Sequence, residues 1–235
     1  MLSFADIRKR AEGRKGGAKA FAKLLPPKPK TSDLTGLSDD RALAAMVKQI
    51  FRAGFNWGVI DKKWPGFEEA FLGFVPATLL HQPDEYWDGL TSDTRIVRHA
   101  AKIMSVRDNA RFVAETAGEH GSFGKFLAAW PGDDVVGLWA HLAKHGSRLG
   151  GATGQYVTRF LGKDAFIASG DVVACLRDAG LDIAEKPTSQ RDLKKIQEQM
   201  NAWAAESGLP LTHVSRICAM SIGRNYDADA DAESG

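Results

Sequence analysis

The segment with the clearest chemical potential is a glycine-rich turn, Leu149-Gly150-Gly151-Ala152-Thr153-Gly154, which precedes a predicted helix over residues 155–161. Glycine lets a backbone approach a ligand closely and turn its N–H groups outward. A helix that begins at such a turn adds the positive end of its dipole, so the turn suits a phosphate group. The alternative is an ordinary connection in which Gly146 ends one helix and the later glycines relax the turn. The turn alone leaves both interpretations open.

A second candidate site is the block Phe51-Arg52-Ala53-Gly54-Phe55-Asn56-Trp57, which closes an apolar helical stretch. Phe55 and Trp57 are candidates for an aromatic wall against a planar ligand such as a nucleic-acid base. The alternative places Trp57 in the hydrophobic core.

Positive charge is concentrated between residues 95 and 102, where three arginine or lysine side chains accompany His99. Arg98 and Lys102 are therefore candidates for phosphate contacts. A solvated helix face explains the same pattern.

Asp171 follows an apolar run over residues 165–168 and precedes Val172 and Val173. A partly buried carboxylate in this position can act as a base or stabilise a developing cation. The alternative is that Asp171 caps the N-terminus of a helix.

The elements that must position these residues are helices, because no segment shows sustained two-residue alternation. We expect an all-α protein. The predicted helices cover residues 5–24, 38–55, a short helix with Pro65 in its first turn that ends near Phe74, and 83–90, 96–117, 122–130, 133–144, 155–161, 189–206 and 211–222.

Composition and charge constrain the class of protein further. The hydrophobic content of 44% and charged content of 26% are typical of globular proteins, and no apolar run is long enough to span a bilayer. The N-terminus has no apolar signal core, so we expect a cytoplasmic protein without a membrane partner. The two cysteines, Cys175 and Cys218, form no metal-spaced cluster, and we expect neither a metal nor another cofactor.

The charge is unevenly distributed, although the net charge is only +2. We expect residues 1–37 to form a basic N-terminal arm with a proline-rich linker, which either contacts phosphate or is a solvated helix face and tail. Residues 38–224 would form the helical domain, with a helix–hairpin–helix near 138–162. The acidic tail at 225–235 is expected to be disordered.

As a set, these residues resemble a known family. The block from Ala53 to Ile60 with Lys62-Lys63, and the later block Ile96-Val97-Arg98-His99 with Lys102-Ile103 and Asn109-Ala110, resemble the DNA-3-methyladenine glycosylase I family. Residues 149–173 look like the helix–hairpin–helix element of the wider glycosylase superfamily. The resemblance covers about residues 38–222.

The resemblance implies a two-lobed helical fold that works as a monomer on double-stranded DNA with alkylated bases. Such an enzyme flips a damaged base out of the stack and hydrolyses its N-glycosidic bond. Trp57 would stack on the flipped base. The hairpin residues Leu149, Gly150, Gly151, Thr153 and Gly154 would hold the DNA backbone through main-chain N–H groups.

Three departures from the family pattern concern the chemistry. Gln49 stands where the family has a glutamate that contacts the methylated adenine, so a neutral amide would read the base edge. The family's zinc ligands have no counterpart. The catalytic aspartate of other superfamily members falls at Ser169, and Asp171, two residues later, is the catalytic candidate.

The resemblance favours a base-excision repair glycosylase for alkylated purines, with 3-methyladenine first among them. The departures favour an alternative, a DNA-binding protein that kept the fold and lost most or all of its catalysis. A helical interaction protein without a nucleic-acid role is a third hypothesis, and the near-neutral overall charge is compatible with it.

Overall fold

The computed structural model describes residues 2–223 and contains helices and turns but no strand among these residues, which confirms the all-α fold class. The helices are α1 (Phe4–Arg14), α2 (Ala18–Ala22), α3 (Thr31–Thr35), α4 (Asp39–Arg52), α5 (Trp57–Ala70), α6 (Pro76–Leu80), α7 (Asp84–Leu90), α8 (Ala100–His120), α9 (Phe123–Ala129), α10 (Val135–His145), α11 (Gly151–Phe160), α12 (Gly170–Asp178), α13 (Gln190–Ser207) and α14 (Leu211–Ser221). A 3₁₀ turn, Leu72–Phe74, follows α5. None of these helices is long and apolar enough to cross a membrane. The acidic tail predicted at 225–235 lies outside the described residues.

The chain packs as two units. Among the described residues, unit 1 holds those up to Lys30, then Pro131–Leu138, then those from Asp164 onward. Unit 2 holds Thr31–Trp130 and Trp139–Lys163. The α10 helix therefore starts in unit 1 and continues in unit 2.

Unit 1 is organised around α14, whose buried residues recur at helical spacing and include Val214, Ile217 and Cys218. The helices α1, α12 and α13 pack against it. Because α14 is buried on most of its surface, it serves as the central helix of this unit rather than as a surface helix.

The N-terminal segment is part of unit 1, whereas the sequence suggested a basic arm. Phe4, Ile7 and Ala11 are buried on one face of α1. Arg10 pairs with Asp178 at 2.6 Å, and Arg14 donates to the carbonyl oxygen of Met220 at 3.2 Å. Two of the expected phosphate-binding cations therefore contact the protein itself. The predicted helix over 5–24 is also interrupted, because Gly16 and Gly17 adopt positive φ angles of 79° and 93°.

Unit 2 is built on α8, a helix of 21 residues. Ile103, Val106, Ala110 and Val113 are buried at helical spacing, and α4, α6 and α9 pack against this helix. The predicted apolar face of α4 is confirmed, since Leu43, Val47, Ile50 and Phe51 are buried.

The start of α5 differs from the prediction. Pro65 was expected in the first turn of a short helix, but it lies inside α5, which begins at Trp57. The prediction was wrong because Asn56 caps the helix earlier: its side chain accepts a hydrogen bond from the N–H of Val59 at 3.2 Å. A proline in the interior of a helix leaves one backbone carbonyl without its usual donor.

Candidate base-binding and phosphate-binding site

The connection between α4 and α5 sets the position of Trp57. The Ala53 residue closes α4, and Gly54 adopts a φ of 75°, a conformation that favours glycine. Asn56 then caps α5, so that Trp57 is its first residue. Four residues, Ala-Gly-Phe-Asn, thus separate the end of α4 from the start of α5 at Trp57.

Lys102 fixes this connection from α8. Its ammonium group donates to the carbonyl oxygen of Phe51 at 3.2 Å and to that of Ala53 at 2.5 Å. It also lies over the ring of Phe55, 4.4 Å from the centroid. These carbonyls belong to the C-terminal end of α4, where a cation is favoured. Lys102 is only 5% exposed, so it positions the loop instead of presenting its charge to a phosphate.

Burial changes the protonation of Lys102. The pKa of its ammonium group is lowered to about 8, mainly because burial penalises the charged form and further because the Arg148 charge is near.

His99 begins the same helix as its N-cap and accepts from the N–H of Lys102 at 3.4 Å. Its ring meets Phe55 edge-on, with 6.4 Å between the centroids. Phe55 therefore packs against α8.

The ring of Trp57 is half-buried within an aromatic cluster that α11 supplies. Tyr156 and Phe160 contact it edge-on, with centroids 5.6 and 6.3 Å away. The guanidinium carbon of Arg52 lies over one face of the Trp57 ring, 4.5 Å from its centroid. A planar ligand that stacks on Trp57 would therefore take the opposite face.

Arg52 is held over Trp57 by an ion pair. One of its terminal nitrogens donates to both carboxylate oxygens of Asp61 at 2.8 Å, and Lys48 binds the same carboxylate at 2.9 Å. Partial burial opposes ionisation of Asp61, but the hydrogen bonds from Lys48 and Arg52 outweigh it and lower the pKa of this carboxyl group. The three groups together carry one net positive charge.

Gln49 lies one helical turn before Arg52 on α4, so the two side chains are neighbours on its surface. The residue is only 4% exposed. In the part of the chain that the structure describes, no group hydrogen-bonds to its side-chain amide. The amide atoms are not among the fully buried ones, so this amide remains accessible to a ligand.

The glycine-rich turn, hereafter the hairpin, connects α10 to α11. Gly146 follows α10, and a Cβ on Gly154 would overlap the carbonyl oxygen of Leu149. The backbone of the hairpin thus packs directly on α11, which begins at Gly151 and not at 155 as predicted. Gly150 is the N-cap and offers no side chain to the first N–H groups of α11, so these groups are open to an anion.

Asn109 of α8 anchors the hairpin. Its buried amide donates to the carbonyl oxygen of Ser147 and accepts from the N–H of the same residue, both at 2.9 Å. The next residue, Arg148, has a positive φ of 61° and donates to the carbonyl oxygen of Ala101 at 3.2 Å. The hairpin is therefore fixed to the helix that also carries Lys102.

The charge around the hairpin has one sign. Residues 139–163 contain Lys144, Arg148, Arg159 and Lys163 but neither aspartate nor glutamate. Arg98, just before α8, is exposed and has no ion-pair partner among residues 2–223. A surface of this kind, next to open helix N–H groups, is typical of contacts with a phosphate backbone.

Comparison with protein families identifies the family of the chain. The model of the methyladenine glycosylase family matches residues 35–173 of the chain. The chain belongs to this family. The matched stretch contains the Trp57 loop, α8 and the hairpin, and it ends within α12. A comparison with curated proteins gives no match.

Solved structures that are similar to the chain carry related names. A variant of 3-methyladenine DNA glycosylase I from Staphylococcus aureus is 24% identical, covering 54% of this chain and 76% of its own, with a TM-score of 0.47. A second structure of the protein from Staphylococcus aureus, described with the recognition of 3-methyladenine, is 22% identical and covers 65% of this chain and 85% of its own, with a TM-score of 0.47. Another 3-methyladenine DNA glycosylase I is 21% identical, covers 58% and 80%, and has a TM-score of 0.46.

Asp171 belongs to unit 1, whereas Gln49, Trp57 and the hairpin belong to unit 2. It is exposed in the first turn of α12, and the N-cap is Ser169, which accepts from the N–H of Val172 at 3.4 Å. Asp171 thus lies at the N-terminal end of a helix, as the alternative interpretation held, but the cap is Ser169 and not Asp171. A side chain on Gly223 would overlap the Asp171 carboxylate, so this group lies against the backbone that follows α14.

Four residues at the site had no assigned role from the sequence. Arg52 lies between Gln49 and Trp57, and Asn109 was recognised only as part of a family block. Tyr156 and Phe160 are about 100 residues from Trp57, and only their spacing of four on a predicted helix marks them as one face.

Proposed function

We propose that the chain is a DNA glycosylase that flips an alkylated purine out of duplex DNA and hydrolyses its N-glycosidic bond, with 3-methyladenine the first substrate to assay. The observation that carries the proposal is that Arg52, one turn after Gln49 on α4, lies over the half-buried Trp57, and that the Gln49 amide has no partner among the described residues. A flipped base needs both a stacking surface and a group that reads its edge. We further expect the protein to act as a monomer in the cytoplasm.

In the proposed complex, the hairpin holds a phosphate near the extruded nucleotide. The first N–H groups of α11 donate to its oxygens, and Arg98, Arg148 and Lys144 attract the backbone. Main-chain donors of this kind fix the position of the DNA without reading its sequence. Specificity is then left to the base-binding residues.

In the reaction, water attacks the anomeric carbon of the sugar while the bond to the base nitrogen breaks. The base leaves with the bonding electron pair, and water loses one proton. A purine alkylated on a ring nitrogen already carries a positive charge and leaves as a neutral molecule, so little acid assistance is required. In this proposal, Asp171 positions the water or stabilises positive charge on the sugar.

The test is release of free base from methylated duplex DNA by the purified protein, followed by chromatography. Base stacking contributes about 1–3 kcal/mol, so Trp57→Ala should lower the rate about tenfold to a hundredfold. Trp57→Phe, which keeps a flat ring, should lose much less. The absence of release by the wild-type protein, together with retained salt-dependent DNA binding, would instead support the DNA-binding protein without catalysis.

Gln49→Glu tests the assignment of the base-reading amide. A carboxylate would complement a cationic base, so the variant should release 3-methyladenine faster than wild type. An unchanged rate would remove Gln49 from the site. Asp171→Asn should slow release without weakening DNA binding if the carboxylate acts in the chemical step.

A further inference from the structure

Arg52 places a fixed positive charge against the ring on which the base is proposed to stack. Its side chain is only 11% exposed, and its guanidinium group lies 4.5 Å from the Trp57 centroid and 5.5 Å from that of Phe160. Its Nε atom is buried and finds no hydrogen-bond acceptor among the described residues. Buried N–H groups usually have a hydrogen-bond acceptor. The Nε–H of Arg52 has none among residues 2–223, so hydrogen bonds within the protein do not account for the position of the whole guanidinium group.

The charge of Arg52 is not cancelled within its surroundings. Asp61 neutralises one positive charge, but it is shared between Arg52 and Lys48. The facing helix α11 and the hairpin contribute no carboxylate, because residues 139–163 contain none. The amide of Gln49, the nearest candidate to read the base, is neutral. Neither α11, the hairpin nor Gln49 therefore supplies an anion to complement a cationic ligand.

We propose that Arg52 is a specificity-determining residue that makes the site disfavour a cationic base relative to an uncharged one, so that the substrate range extends toward uncharged modified purines. This inference rests on the proposed stacking of the base on Trp57. A base on the opposite face would lie roughly 8 Å from the guanidinium group, since stacked atoms approach to about 3.5–4 Å. With an effective dielectric constant of about 20, and with part of the effect offset by Asp61, the repulsion corresponds to about tenfold in affinity.

The direct test compares two ligands that differ mainly in charge: 9-methyladenine and the cation obtained by methylating it at N3. Dissociation constants are measured by following the indole N–H resonance of Trp57 in the wild-type protein and in Arg52→Gln. The variant should raise affinity for the cation about tenfold relative to the neutral ligand. Equal changes for both ligands would overturn the role of Arg52.

The chain offers a matched control. Lys48 binds the same Asp61 carboxylate at 2.9 Å, but its ammonium lies over Trp64, 4.9 Å from that centroid. Lys48→Gln removes the same unit of charge from the same ion-pair group without removing the cation stacked on Trp57. Its effect on the ratio of the two affinities should be threefold or less. Arg52→Lys, which keeps the charge, should stay close to wild type.

An excision assay separates this inference from the proposed function. Duplexes that contain cationic 3-methyladenine or an uncharged lesion such as hypoxanthine are compared under single-turnover conditions. Arg52→Gln should raise the ratio of 3-methyladenine release to hypoxanthine release about tenfold. If the wild type releases neither base while the affinity ratio still shifts, the proposed function fails and the charge role of Arg52 stands. If bases are released but both ratios are unchanged, the proposed function stands and the charge role of Arg52 fails.

Discussion

Gly154→Ala tests whether the hairpin packs on α11 as closely as the structure indicates. A Cβ at Gly154 would overlap the Leu149 carbonyl oxygen and lie 3.4 Å from its carbon. Because this neighbour is backbone, the hairpin itself must move. Overpacking costs about 1–3 kcal/mol, whereas alanine in a helix is otherwise favoured over glycine by about 0.5–1 kcal/mol. We expect a net loss of about 1–2 kcal/mol in the free energy of unfolding.

Gly118→Ala is the matched control for this substitution. Gly118 also lies inside a helix of unit 2, but a Cβ there meets nothing within 4 Å. The same change should therefore stabilise the protein by about 0.5–1 kcal/mol. The two variants are compared by urea denaturation and by thermal melting, where 1 kcal/mol corresponds to about 2–4 °C. If Gly154→Ala stabilises the protein as Gly118→Ala does, the close packing of the hairpin is refuted.

The same pair of variants reports on DNA binding. A displaced hairpin changes the direction of the first N–H groups of α11, so Gly154→Ala should bind duplex DNA several-fold more weakly at fixed salt. Gly118→Ala should bind like wild type, since it is at the far end of α8 from the hairpin contacts. Equal binding by both variants would show that the hairpin is not the phosphate site.

Two further predictions concern α8. Asn109→Ala removes both hydrogen bonds to Ser147 and leaves a backbone N–H and C=O without partners. It should lower the free energy of unfolding by about 2–3 kcal/mol in urea denaturation, and Asn109→Asp should lie between this variant and wild type. An unchanged midpoint would contradict the anchoring role of Asn109. Lys102→Met tests the lowered pKa of about 8 against an ordinary value of 10.5. Between these pH values the unfolded chain keeps a proton that the folded protein has released, so this lysine makes the wild type gain stability as pH rises. The free energy of unfolding of wild type minus variant should therefore increase from pH 8 to about 10, and parallel pH profiles would contradict this.

Local signals predicted much of the fold. Ser122 and Ser189 cap α9 and α13, and the apolar face of α4 is buried as its spacing indicates. The predicted helix starts were wrong where two local signals compete. Pro65 suggested a helix start, but Asn56 had already provided one. Gly151 and Gly154 suggested a turn, yet both belong to α11, and Gly154 packs against the carbonyl group of Leu149.

The candidate site was less predictable, because its contacts depend on tertiary structure. Trp57 was found from its aromatic block and Gln49 from the family resemblance, but the aromatic residues of α11 that enclose Trp57 are distant in sequence. Lys102 was a candidate phosphate ligand because positive charge is concentrated between residues 95 and 102, with a solvated helix face as the alternative. Only its contact with the end of α4 shows why burial of this charge is tolerated.

The two halves of the site are linked by α8. Lys102 holds the loop that carries Trp57, and Asn109 holds the hairpin that offers main-chain N–H groups to a phosphate. These residues are seven positions apart, so they lie on the same face of the helix, two turns and about 10 Å from each other. A flipped nucleotide places its base and its phosphate at a fixed separation, and a helix resists bending over two turns far better than a loop does. Under the proposed function, the spacing of the lysine and the asparagine lets α8 set the distance between the loop of Trp57 and the hairpin.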